Sequence, residues 1–99
     1  MVEYKLKRKP SIVFPRCEKE LRDAIKYISK TSPMQARIMK EQFVETRKTI
    51  ERMPTMGAIY KGDMRRIKLG KFRYYIYYRE TKTAIEILGI WHTSKGTDF

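Results

Sequence analysis

The chemistry open to this chain gathers around His92. It is the only histidine among 99 residues, and it closes an apolar run that follows a stretch dense in arginine and lysine. A ribose 2′-hydroxyl can itself attack the adjoining phosphate, so cutting RNA asks a protein for a base, an acid for the leaving oxygen and cations for the developing charge. Histidine suits either proton role near neutral pH. Arg65, Arg66, Lys68, Lys71 and Arg73 could supply the cations, and His92, Arg73 and Arg65 are the catalytic set that such an endoribonuclease would use. The set is chemically sufficient without being specific, since a histidine at a strand end is as readily structural.

Other chemistries lack their parts. Cys17 and His92 lie far apart in sequence and no third group orients them, so a cysteine or serine hydrolase is not expected. No cysteine or histidine cluster has metal-ligand spacing, and the five glycines are too scattered for a phosphate-cradling loop. No metal or cofactor is therefore expected. A lone cysteine fits a reducing cytoplasm. The amino terminus alternates charge with apolar residues, and no run is long enough to span a membrane.

The cations need a scaffold, and a strand hairpin would provide it. Three strands are predicted, Met64 to Leu69, Phe72 to Arg79 and Ala84 to His92, joined by Gly70-Lys71 and by a polar turn over Glu80 to Thr83. Period two on the middle strand sends Phe72, Tyr74, Ile76 and Tyr78 to the core and Arg73, Tyr75, Tyr77 and Arg79 to the other face. Arg66 and Lys68 would join that outer face. Alternating cations and rings suit phosphates and bases, or an acidic protein. The structural alternative is a solvated strand face with cross-strand tyrosine contacts. In the last strand Ile85, Ile87, Gly89 and Trp91 would oppose Glu86, Leu88, Ile90 and His92, and its apolar character on both faces makes it an interior strand with Trp91 in the core.

The remaining elements follow from spacing. Glu3 to Lys9 alternates as a short strand, which Val13 and Phe14 could instead complete. From Pro15, Cys17, Leu21, Ala24, Ile25 and Ile28 share one helical face. Ser32-Pro33-Met34-Gln35 is a capping box with proline at the first helical position, opening a second helix that buries Ala36, Met39, Phe43, Ile50 and Met53 and stops near Pro54. Thr55 to Asp63 has no periodicity and is predicted to be a loop. The fold expected is α+β, in the order β-α-α-β-β-β, with a helical hairpin on one face of a mainly antiparallel sheet, and the whole of residues 1–99 as one domain. The net charge of +12 comes from both halves, so basicity is not confined to a tail, and attraction to polyanions follows.

The chain resembles the RelE/ParE superfamily of toxins from bacterial type II toxin-antitoxin systems, and the ParE-like branch most. The resemblance covers most of the sequence. It rests on Glu20-Leu21 and Tyr27-Ile28 in the first helix, Arg52-Met53-Pro54-Thr55-Met56-Gly57 after the second, Met64-Arg65-Arg66-Ile67, Lys71-Phe72, Ile76-Tyr77-Tyr78-Arg79, and Ile85-Glu86-Ile87-Leu88 leading to Trp91-His92. It implies a cognate antitoxin that wraps the toxin across hairpin and sheet. It implies one of two targets, DNA gyrase or messenger RNA on the ribosome, which share the fold and differ in the site. Tyr75 stands on the outer face where the endonuclease branch often carries a cation, and Thr93 stands where some nucleases have tyrosine, so gyrase is the target expected first. Target or nucleic-acid contacts would fall to Arg66, Lys68, Lys71, Arg73, Tyr75, Tyr77, Arg79 and Lys95. No membrane contact is expected.

Overall fold

The computed structural model describes residues 9–93. The elements run β1 (Ser11–Val13), α1 (Pro15–Ser29), α2 (Pro33–Arg52), β2 (Ala58–Lys61), β3 (Met64–Lys68), β4 (Tyr74–Glu80) and β5 (Ile85–His92). They form a five-stranded sheet in the order β1-β5-β4-β3-β2. Only the β1–β5 pairing is parallel; the others are antiparallel. The α+β class and the helical hairpin agree with the sequence, with one strand added. β5 is interior, as its two apolar faces imply.

Both helices begin where sequence chemistry places them. Pro15 and Pro33 occupy first-turn positions, where a missing N–H costs nothing. The Ser32 hydroxyl accepts the Gln35 N–H at 3.1 Å, forming half of the capping box. The Ser32 N–H instead donates to the Ile28 carbonyl at 2.9 Å, so the α1–α2 turn uses the donor that a full box would have claimed.

The core lies between the helices and one sheet face. Cys17 and Ala24 from α1 and Met39, Phe43 and Ile50 from α2 meet Ile76, Tyr78, Ile85, Ile87 and Ile90 from the sheet, with Leu21, Ile25 and Ile28 packed around them. Fully burying each large side chain contributes about 1.5–3 kcal/mol. Met53, expected inside, is half exposed, because α2 ends at Arg52 and the chain turns away. Thr46 fills the buried stripe instead.

Three strand expectations need correction, and a fourth is untested. The strand over Glu3 to Lys9 lies outside the described residues apart from Lys9, which is in no strand, while β1 ends at Val13, one of the two residues expected to complete it. The segment Thr55 to Asp63 contains β2, held as the outer partner of β3. The Gly70-Lys71 link is longer than two residues, since β3 stops at Lys68 and β4 starts at Tyr74. Gly70 has φ +55°, a conformation that glycine adopts without strain, and a Cβ there would meet Gln42 Oε1 at 2.7 Å. Finally, Tyr77 pairs with Gly89 while Tyr78 pairs with Ile87, so Leu88 is an extra residue in β5. That bulge shifts the alternation by one. Ile85 and Ile87 face the core as predicted, but beyond the bulge Ile90 replaces Gly89 there.

Candidate functional site

His92 pairs with Tyr74 across β5 and β4, and their rings meet edge-on at 5.1 Å. Both line a cleft of about 610 Å³ beside α1, which adds Glu20, Asp23 and the exposed Tyr27. Arg73 is exposed in the bend before β4, and its carbonyl accepts the Thr93 N–H at 2.9 Å. Arg65 lies elsewhere. It pairs with Tyr78 on β3, and its guanidinium donates to the Gly57 carbonyl at 2.8 Å and the Thr55 carbonyl at 3.2 Å. Tyr78 and Tyr74 stand four residues apart on β4, about 13 Å along the strand, with β3 and β5 on opposite sides of it. Arg65 is therefore not assembled with His92 and Arg73 around one phosphate, whereas Arg73 lies beside His92 through the Thr93 bond.

Arg65 belongs to a clamp on the α2–β2 loop. The Tyr78 hydroxyl donates to the Pro54 carbonyl at 2.8 Å and accepts the Gly57 N–H at 2.8 Å. Burial pushes the Tyr78 phenol up from its ordinary value, against the pull of Gly57 and Arg65. A Cβ on residue 57 would come within 2.6 Å of the Tyr78 hydroxyl and 2.8 Å of the Arg66 carbonyl, so only glycine fits. The Arg-Met-Pro-Thr-Met-Gly stretch is thus a closely held corner.

The outer face gathers more of the predicted residues. The Arg66 guanidinium sits 4.3 Å from the Tyr75 ring and 5.2 Å from the Tyr60 ring. Tyr77, its partner across the strands, is the main reason its pKa rises above the ordinary arginine value. Tyr77 meets Tyr60 at 5.2 Å and Tyr75 at 6.2 Å, both edge-on. Under this cover Tyr77 is only 1% exposed, which corrects its placement as an accessible ring. Lys68, opposite Tyr75, is exposed, as is Lys71 in the following loop. Arg79 is committed to Glu86, with nitrogen–oxygen distances of 2.6 and 3.1 Å, and Glu86 pushes its pKa further up. Lys95 lies outside the described residues.

Two participants escaped the sequence. Tyr60 was hidden in the supposed loop, and the signal was an Ile-Tyr pair between two glycines. Glu20 lies at the border of the α1 apolar face. Its carboxylate accepts the Ile90 N–H at 3.0 Å, the Trp91 indole N–H and Arg16 Nε at 3.0 Å. Trp91 is half-buried at this edge, with Arg16 4.8 Å from its ring, and is not in the core. Among the described residues no three acids, histidines or cysteines gather as a metal site, and no helix is long and apolar enough to cross a membrane.

This geometry, a hairpin of helices over one sheet face and a basic tyrosine cluster on the other, has relatives. The family model for the ParE toxin of the type II toxin-antitoxin system parDE matches residues 12–96. The chain belongs to the ParE toxin family. It is 36% identical over 76 residues to Toxin ParE2 of two Mycobacterium tuberculosis strains, covering 76% of this chain and 72% of that toxin. Its fold matches a chain of the chromosomal ParDE system of P. aeruginosa with a TM-score of 0.72 at 21% identity, covering 88% of this chain and 98% of that one. It also matches a chain of the archaeal RelE-RelB complex of Pyrococcus horikoshii OT3, with a TM-score of 0.60 at 18% identity over 91% and 100% of the two chains. At such identities the ParDE and RelE-RelB matches speak to fold alone. As a ParE-family protein, the chain is the toxin component of a type II toxin-antitoxin system.

Proposed function

We propose that this ParE-family chain arrests growth in the cytoplasm by binding DNA gyrase, and that a cognate acidic antitoxin neutralises it. The observation that supports binding over RNA cleavage is the separation of Arg65 from His92 and Arg73. His92 faces a cleft beside α1, Arg73 stands in a bend, and Arg65 is spent on the Thr55 and Gly57 carbonyls. A general acid–base mechanism needs its groups within hydrogen-bond reach of one reacting centre. Membership of the ParE toxin family and the likeness to Toxin ParE2 support the toxin–antitoxin pairing, and a net charge of +12 favours fast encounter with an acidic partner.

The test is induced expression with and without a co-expressed cognate antitoxin, with plasmid supercoiling and transcript integrity read in parallel. Growth arrest with altered supercoiling and intact transcripts is expected, and it should persist in His92→Ala. Codon-positioned cuts that vanish in His92→Ala or Arg73→Ala would instead establish a ribosome-dependent mRNA interferase.

A further inference from the structure

We draw no further inference here: the strongest candidate, the patch of exposed apolar side chains that Met53, Met56 and Ile59 form around the α2–β2 corner at the sheet's β2 edge, has no partner among the described residues, and nothing in the structure shows what covers it.

Discussion

Cys17 shows how one buried atom sets a condition on the whole chain. Its thiol is fully enclosed, and burial, with Glu20 nearby, pushes its pKa from the ordinary 9.0 up to about 12. The folded state therefore holds this proton more tightly than the unfolded chain does. Cys17 contributes its full stability below pH 9 and loses that contribution as pH rises from about 9 towards about 12. Thermal unfolding of wild type should weaken across this window more steeply than that of Cys17→Ala, although the variant starts less stable because of the cavity it leaves. Equal slopes for the two proteins would show that the thiol does not titrate with folding. The residue scale is also where sequence was least legible. Arg65, Arg66 and Arg79 read alike as cations on a strand, and their fates diverge: a loop clamp, a ring-held fork and an ion pair. Only the partner across the sheet distinguishes them, and sequence does not name partners.

Among the elements, the helices were readable because a 3.6-residue period, two first-turn prolines and a serine cap all agreed. β2 was not, because four residues between glycines are too few for an alternation to register, and pairing with β3 rather than local pattern holds them. The bulge at Leu88 was hidden too, since a slipped register leaves no compositional mark and appears only when Tyr77 and Tyr78 find their partners. The edge of β5 carries its own requirement. β1 covers it only through Val13, with Phe14 N–H reaching the Ile87 carbonyl, and past that point Glu20 takes the Ile90 N–H. Glu20→Ala should leave that donor, and the Trp91 indole, without their acceptor. It should cost about 1–3 kcal/mol, and amide exchange at Ile90 should accelerate while exchange at Phe14 stays slow. Uniform acceleration across both would mean that Glu20 supports the fold at large and is not an edge cap.

For the whole molecule, charge is the property that no single element owns. The excess of +12 is spread over helices, strands and loops, while carboxylates such as Glu20, Glu51, Glu80 and Glu86 are engaged in local bonds. A field built from so many sites acts at a distance and steers an acidic partner before any contact forms, and salt shortens its reach from about 10 Å at 0.1 M to about 3 Å at 1 M. Apolar contacts at the bound interface do not share that dependence. Stopped-flow mixing with the proposed acidic antitoxin should therefore show an association rate that falls at least about ten-fold between 0.05 and 0.5 M salt, with a dissociation rate that changes much less. Neutralising any one exposed cation, such as Lys82, should shift the association rate less than about two-fold, because each is a small part of the total field. If one such substitution removed most of the salt dependence, attraction would belong to a local ion pair and the distributed charge would be a matter of solubility. If dissociation carried the salt dependence instead, the complex would be held chiefly by its ion pairs.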